Sequence, residues 1–112
     1  AMTEHDILIV GSGSGESVVP LEIMKIAKEY KANIIHIGSN QRSSMSDYED
    51  LFIRIPCSTK LALEDEIKSE QIMSSLFEQS LLLLGDIVAM MIVEKKNIKD
   101  MHTLWKMHAN LE

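Results

Sequence analysis

Three short, continuously apolar runs alternate with helical patterns along this chain, and the alternation constrains the fold more than any other feature. The runs cover residues 7–10, 33–37 and 51–55, and the last is stopped by Pro56. Continuously apolar strands are typical of parallel sheets that are buried on both faces. The pattern therefore predicts an α/β fold with three layers, in which a parallel sheet lies between helices.

Apolar residues at helical spacing predict three helices around this sheet. The first covers Val18–Tyr30, with Pro20 in its first turn, where a missing N–H has no cost. A long helix is predicted from about Gln71 to Lys95, and a short one from Met101 to about His108. A further short helix is possible at 46–49. No internal boundary is visible, so residues 1–112 are predicted to form one domain.

The Leu- and Met-rich part of the long helix is predicted to be a buried core helix. Its apolar stretch, Leu81–Val93, is interrupted by Gly85 and Asp86. This stretch is shorter than the ~20 residues that a membrane span needs. No membrane partner is therefore predicted.

Charge and cysteine content exclude several classes of function. The formal net charge of −6 disfavours nucleic acid or an anionic membrane as the main partner. The single cysteine, Cys57, excludes an internal disulfide and suits a reducing cytoplasm. We interpret it as a small apolar filler. The histidines show no ligand spacing, so no metal is predicted.

The segment GSGSGES, residues 11–17, joins the first strand to the first helix and has the composition of a phosphate cradle. Glycines let the backbone approach an anion, and the helix N-terminus adds free N–H groups and a positive potential. Ser12, Ser14 and Ser17 add hydroxyl donors. The alternative is a tight glycine turn in which a serine caps the helix, and the residues alone leave both interpretations open.

Two nucleotide-binding loops fail to match this segment. A dinucleotide fingerprint requires G-x-G-x-x-G, but Glu16 stands at the third glycine position. The second strand is followed by Ser39 and Asn40 rather than by the acid that would hold a ribose. A P-loop requires Gly-Lys-Ser/Thr, whereas Gly15 precedes Glu16 and Ser17.

Two titratable residues of the C-terminal half are candidates for proton transfer. Glu78 stands in SSLFEQSLLLL, beside Phe77 and a leucine run. A carboxylate held against apolar surface is suited to proton transfer. The alternative is an exposed glutamate on the polar edge of the helix. His108 lies in the terminal HANLE, where a histidine is usually exposed and without function.

Five segments, in this order, carry a resemblance to a known family: GSGSGES after the first strand, SN after the second, IRIP after the third, SLFEQSLLLL in the long helix, and HANLE. SGSGE alone is typical of SIS (sugar isomerase) domains in general. LFEQ together with HANLE is much more specific. The chain resembles the 6-phospho-3-hexuloisomerase branch of the SIS family along nearly its whole length.

This resemblance implies an isomerase that interconverts 3-hexulose 6-phosphate and fructose 6-phosphate through an enediol, without metal or organic cofactor. It implies a flavodoxin-like, doubly wound parallel sheet and a cytoplasmic homo-oligomer, a dimer or tetramer, with sites at subunit contacts. It also implies roles for individual residues. Ser12, Ser14 and Ser17 are the implied phosphate ligands, and Ser39 and Asn40 are the implied sugar contacts. Glu78 is the implied base, and His108 is its implied proton-shuttling partner.

Departures from the family pattern leave two alternatives to an active isomerase open. The family commonly has Gln-Pro-Met-Gly where residues 71–74 read QIMS, and a basic residue at the position of Met107. It also has an N-terminal stretch with a second glycine-serine loop, so we expect this chain to be a partial SIS domain, truncated at the N-terminus. One alternative is a non-catalytic module that binds sugar phosphates. The other is an inactive, truncated relative that is stabilised by self-association.

Overall fold

A computed structural model describes residues 1–105, which form one compact unit of residues 1–81 and a second unit that begins at Leu82. Three parallel strands form one sheet in the order β1 (Ile7–Gly11), β2 (Asn33–Gly38), β3 (Leu51–Arg54). The helices are α1 (Val18–Glu29), α2 (Ser75–Lys95) and α3 (His102–Trp105). The predicted α/β fold with a parallel sheet is confirmed, whereas the assignment of all residues to one domain stays a prediction.

One face of the sheet is closed by α1. The register sets Val10 beside His36 and His36 beside Phe52, so these three side chains share that face. Apolar side chains of α1 and of the strands meet there and form the core: Val10, Met24, Ala27, Ala32, Ile34 and Met45. The amphipathic pattern of the first predicted helix therefore describes α1 correctly.

The opposite face of the sheet is covered at the carboxyl ends of the strands. Leu81 of α2 lies over Gly11, where an added Cβ would be 2.5 Å from the Leu81 Cδ2 atom. At the other end of β1, Ile7 and Ile9 are 59% and 62% exposed. The apolar strands predicted burial on both faces, and this part of the second face is exposed because no other element of residues 1–81 lies on it.

The long helix α2 begins later than predicted and is largely exposed. Met73 has a φ of 54°, a left-handed conformation that a right-handed helix does not contain, so α2 starts at Ser75 instead of Gln71. Within this fully described helix, Phe77 is the buried residue. The prediction of a buried core helix is therefore wrong for the part of the chain that the structure describes, where most of the apolar side chains of α2 are exposed.

The length and composition of α2 also meet the requirement for a membrane span. The helix has 21 residues, and its most apolar window has a mean hydropathy of 1.8. A helix buried inside a soluble protein meets the same requirement, so one such helix is weak support for a membrane. Asp86 lies inside α2, and a charged side chain at the centre of a bilayer is costly. That α2 is covered by protein stays our prediction.

The connection from β2 to β3 consists of turns, not of the short helix considered at 46–49. The Ser46 N–H donates to the Ser43 carbonyl and the Tyr48 N–H to the Met45 carbonyl, each at 3.0 Å. Met45 is fully buried and ties the connection to the core. The predicted extension of the last helix to His108 lies outside the described residues.

Candidate active site

The glycine-serine loop, residues 11–17, is held against the end of β2 by backbone hydrogen bonds. The Ser12 N–H donates to the Ile37 carbonyl at 2.9 Å. The N–H groups of Ser39 and Asn40 both donate to the Gly13 carbonyl, at 2.9 and 3.1 Å. Because Ser12 and Gly13 are tied to the end of β2, the shape of the first part of the loop is set by the fold and not only by its own glycines.

The turn at Gly15 requires a glycine. Its φ is 68°, which side chains rarely adopt, and an added Cβ would collide with the Ser43 hydroxyl. The Gly15 N–H donates to the Ser12 carbonyl at 3.2 Å and contacts the Ser12 hydroxyl at 3.2 Å. The loop therefore closes on itself at Ser12 before the chain enters α1.

Ser17 precedes α1 without capping it. Its side chain makes no capping hydrogen bond to the helix, and its hydroxyl is 3.4 Å from the Ser12 hydroxyl. The alternative interpretation, in which a serine caps the helix, lacks the hydrogen bond that would support it at this position. The first N–H groups of a helix without such a cap are open to another acceptor.

An open cavity of about 610 Å³ lies between the loop, the segment after β3 and the first turns of α2. All of its lining belongs to residues 1–81. The polar side chains that line it include Ser12, Ser14, Ser17, Thr59, Lys60 and Glu78. The structure therefore brings together four of the seven predicted site residues, the three loop serines and Glu78.

Ser39 and Asn40 are placed differently, since their side chains already have partners inside the protein. The Ser39 hydroxyl donates to the Cys57 carbonyl at 2.8 Å. The Asn40 amide donates to the carbonyls of Ser14 and Arg42 at 3.2 and 2.9 Å. Both residues are buried and are absent from the described lining of the cavity. Their contact with a sugar stays a prediction.

Glu78 lines the cavity from the first turn of α2 but is exposed. The burial beside apolar residues that its neighbours suggested is therefore absent in the single chain. His108 lies outside the described residues. The pairing of Glu78 with His108 thus stays a prediction.

Lys60 is a cavity residue that was not singled out from the sequence. Lys60 lies in the polar segment after β3. Because the carboxyl ends of parallel strands meet at one edge of the sheet, this position after a strand could have identified Lys60 as a site candidate. Within residues 1–105 it forms no ion pair with a carboxylate. Hydrogen bonds from the hydroxyl and amide of Ser44 hold the pKa of Glu16 below its ordinary value, and the Lys60 charge lowers it further. Lys60 thus adds positive charge beside the loop.

Two curated relatives match this chain along its whole length. It is 40% identical over 111 residues to a 3-hexulose-6-phosphate isomerase of Bacillus subtilis, and the match covers 99% of this chain and 60% of that protein. It is 31% identical over 112 residues to a 3-hexulose-6-phosphate isomerase of Mycobacterium gastri, and the match covers 100% of this chain and 55% of that protein. The chain thus spans less than two thirds of the length of these relatives. No protein-family model matches it.

Solved structures lead to the same family. A protein of Methanococcus jannaschii, whose crystal structure was described as inferring a molecular function of 3-hexulose-6-phosphate isomerase, superposes with a TM-score of 0.79 at 29% identity. The superposition covers 100% of this chain and 58% of the Methanococcus jannaschii protein. A second crystal structure, of a hypothetical protein, has a TM-score of 0.78 at 24% identity and supports the fold alone. The glycine-serine loop, the parallel sheet and these relatives agree, and together they support assignment of the chain to the 3-hexulose-6-phosphate isomerase family of SIS domains.

Proposed function

We propose that this chain, or a longer protein of which it is a part, isomerises 3-hexulose 6-phosphate to fructose 6-phosphate. The observation that carries the proposal is the cavity in which the three loop serines, Lys60 and Glu78 meet. The names of the relatives supply the substrate class. A reaction that moves a proton on a phosphorylated sugar requires at least a phosphate-binding site and a base, and here a candidate phosphate site and a carboxylate face one cavity.

The phosphate group is proposed to bind at the loop. Ser12, Ser14 and Ser17 supply hydroxyl donors, and the start of α1 supplies N–H groups and a positive dipole potential. Lys60 adds a full positive charge. A chain of net charge −6 needs such local donors, because its overall field repels an anion.

Glu78 is proposed to be the base that transfers the proton. Removal of the proton from C2, which bears a hydroxyl, places the electron pair in an enediolate with the C3 carbonyl. Return of a proton to C3, with proton exchange between the two oxygens, gives the C2 ketone. One carboxylate can take and return the carbon-bound proton, and a second group must serve the oxygens. His108 is our candidate for that group, from the same chain or a neighbouring one.

We further propose a homo-oligomer in the cytoplasm, with no metal or organic cofactor. Self-association is supported by the exposed apolar side chains of α2 and of β1, including Ile7, Ile9, Leu82 and Met90. Apolar patches of this kind mark protein–protein contacts. Cys57 is buried and unpaired, which suits a reducing compartment. Contact of Ser39 and Asn40 with the sugar belongs to the proposal in a weaker form, since both side chains have internal partners.

The test is turnover by the full chain and by Glu78→Gln. Glutamine keeps the shape of the side chain but does not accept the proton, so exchange of the C2 proton with solvent is expected to fall by about 10²–10⁴-fold while fructose 6-phosphate binding is retained. Glu94→Gln is the matched control, because Glu94 is exposed on the same helix outside the cavity.

Three other results separate the alternatives. Binding of fructose 6-phosphate without turnover identifies a non-catalytic module. No thermal shift with fructose 6-phosphate identifies an inactive relative, since a ligand that binds the native state must raise stability. Turnover that survives Glu78→Gln shows that another residue is the base.

A further inference from the structure

The segment that follows β3 forms a closed loop, residues 56–67, which we call the lysine loop. Its two ends meet, since the Ile67 N–H donates to the Pro56 carbonyl at 2.7 Å and Ile67 pairs with Cys57 in a parallel bridge. The Ser58 hydroxyl donates to the Ile67 carbonyl at 2.6 Å. A loop whose ends are tied together in this way can hold a side chain at its tip in a fixed place.

Glu66 joins the two halves of the lysine loop. Its Oε2 atom accepts hydrogen bonds from the N–H groups of Thr59 and Leu63, each at 3.1 Å. Its Oε1 atom accepts from the Thr59 hydroxyl at 2.5 Å. The same hydroxyl accepts from the Leu61 N–H at 3.2 Å. One half-buried side chain therefore fixes both sides of the turn that contains Lys60.

This turn, residues 59–62, presents Lys60 near its tip. The Ala62 N–H donates to the Thr59 carbonyl at 3.1 Å, which closes a four-residue turn with Lys60 in its second position. Ala62 has a φ of 49°, a conformation that most side chains avoid, so contacts and not local preference hold the turn. Lys60 is exposed, and it is the only cation among the described residues that line the cavity.

The lysine loop lies beside the glycine-serine loop. An added Cβ at Gly13 would be 3.6 Å from the Thr59 Cγ2 atom, so the threonine lies directly against the backbone of that glycine. The pKa of Glu16 is lowered by its hydrogen bonds from Ser44 and further by the charge of Lys60. The positive charge at the turn therefore acts on the loop that is the candidate phosphate site.

Arg54, the other cation of this region, anchors the lysine loop to the sheet. Its Nη1 atom pairs with Asp65 of the loop at 2.6 Å, and its Nε–H donates to the Ser39 carbonyl at 3.0 Å. Lys60, by contrast, forms no ion pair with a carboxylate within residues 1–105. One cation thus holds the loop in place, and the other is left for an anion.

We propose that Glu66 is a positioning residue, which holds the turn of residues 59–62 so that Lys60 pairs with the phosphate of a sugar phosphate bound at the glycine-serine loop. This inference rests on the proposed function, because it takes that loop as the phosphate site. A turn that is arranged in advance strengthens binding, since less conformational entropy is lost when the ligand arrives. The role also has a diagnostic sign. Loss of an acidic residue near an anion site strengthens binding by charge alone, whereas loss of a positioning residue weakens it.

The test compares the binding of fructose 6-phosphate and of inorganic phosphate by the full chain and by four variants. Lys60→Met removes the charge and keeps a long side chain. Glu66→Ala removes the acceptor. Glu66→Gln keeps the shape, and its amide can accept from the two N–H groups and donate to the Thr59 hydroxyl. The fourth variant combines Lys60→Met with Glu66→Ala. Calorimetry at about 0.05 M and about 0.5 M salt measures each affinity.

Lys60→Met should bind fructose 6-phosphate roughly tenfold more weakly than the wild type at low salt. The difference should shrink at high salt, where exposed charges are screened. Glu66→Ala should also lose affinity, and Glu66→Gln should bind like the wild type. The double variant should bind no more weakly than Lys60→Met, because Glu66 acts through the lysine and the two effects do not add.

Two substitutions nearby are matched controls. Glu64→Ala removes an exposed carboxylate of the lysine loop, and Lys68→Met removes an exposed lysine one residue beyond it. Both residues are absent from the described lining of the cavity, so both variants should bind like the wild type. If Glu66→Ala does not fold, Glu66→Asp replaces it. The charge then stays, but the shorter side chain cannot reach Thr59 and Leu63 together, and affinity should fall in the same direction.

Three results would overturn the inference: an unchanged affinity in Lys60→Met, an affinity of Glu66→Ala equal to or higher than that of the wild type, or losses that add in the double variant. The expected affinities without turnover contradict the proposed isomerase and support the inference. Turnover with no effect of Lys60→Met on binding does the reverse. A wild type that binds neither fructose 6-phosphate nor inorganic phosphate overturns both.

Discussion

The unit formed by residues 1–81 buries a core of apolar side chains within itself, whereas α2 from Leu82 onward leaves most of its apolar side chains exposed. Met24 and Ile34 have no exposed surface, while Leu82 and Met90 are 67% and 72% exposed. Both regions are rich in apolar residues, so composition alone does not separate them. The difference is that α1 packs on one face of the sheet, whereas within the second unit the described residues leave most apolar side chains of the later turns of α2 uncovered.

This contrast has an energetic meaning. Full burial of one large apolar side chain stabilises by about 1.5–3 kcal/mol relative to exposure. The N-terminal unit gains this free energy within one chain, and the exposed part of α2 gains it only when something covers it. We therefore expect substitutions in the first region to change unfolding, and substitutions in the second to change association.

Ile34→Ala tests the first region and should have the largest effect. Ile34 is fully buried between β2 and α1, so truncation leaves a cavity and should lower the free energy of unfolding by about 2–5 kcal/mol. Ile87→Ala on α2 is the matched control, because Ile87 is 54% exposed and should lose much less in a single chain. Denaturant unfolding of both proteins measures the difference. Equal losses would mean that α2 is as well buried as the core.

Met90→Lys tests what covers α2. A charge placed at this exposed apolar position should weaken self-association by about tenfold or more, because burial of an unpaired charge is costly. Sedimentation over a range of concentrations measures the shift. Gln79→Lys adds the same charge elsewhere on α2 and should leave association unchanged.

The same sedimentation samples also distinguish a protein cover from a bilayer. A wild-type chain that stays monomeric at high concentration, and floats with phosphatidylcholine vesicles, would show that α2 inserts into lipid. That result would contradict the proposed oligomer.

Asp50→Asn tests a polar anchor of the N-terminal unit. Asp50 accepts from the Ile34 N–H at 2.8 Å and pairs with Lys28 at 2.7 Å, and the Lys28 hydrogen bond, followed by that of Ile34, lowers the pKa of Asp50. A carboxyl group whose pKa is lower in the folded state stabilises the fold at pH values above its ordinary pKa. This contribution is lost as the pH falls through the lowered folded-state pKa. The variant should be less stable by about 1 kcal/mol at neutral pH, since the pair is partly screened by solvent.

The pH dependence is the sharper part of that prediction. The gap between the wild type and Asp50→Asn should narrow as the pH falls below the ordinary aspartate pKa of about 3.9, and it should close once the pH is below the lowered folded-state pKa. Asp47→Asn, at an exposed position, is the control and should show no such change. A gap that is constant with pH would mean that the charge of Asp50 is unimportant.

Gly85→Ala should have the smallest effect and sharpens the comparison within α2. An added Cβ at Gly85 meets no atom within 4 Å, so alanine should stabilise the helix by about 0.5–1 kcal/mol. Ala89→Gly, the reverse change one turn later, should destabilise by a similar amount. Weaker self-association of Gly85→Ala would show instead that a neighbouring subunit approaches the helix at this glycine.

The elements of the sheet could be predicted from the sequence because they depend on local patterns. Continuous apolar runs and the glycine-serine loop are readable without any distant contact, and β1, α1 and the parallel pairing followed. The start of α2 could not be predicted, because it depends on the left-handed conformation of Met73. Nor could the internal bonding of Ser39 and Asn40, since their partners lie at Cys57 and Ser14.

The sequence by itself determined the α/β class, the resemblance to 3-hexulose-6-phosphate isomerases and the position of the glycine-serine loop, because each rests on residues that are adjacent along the chain. The tertiary structure alone decided that Lys60 joins the cavity and that Glu66 accepts hydrogen bonds from both sides of its turn. It also decided which apolar surface is buried. The physical reason is the same in each case: burial and hydrogen bonding depend on what packs nearby in space, and residues distant in the sequence supply those neighbours.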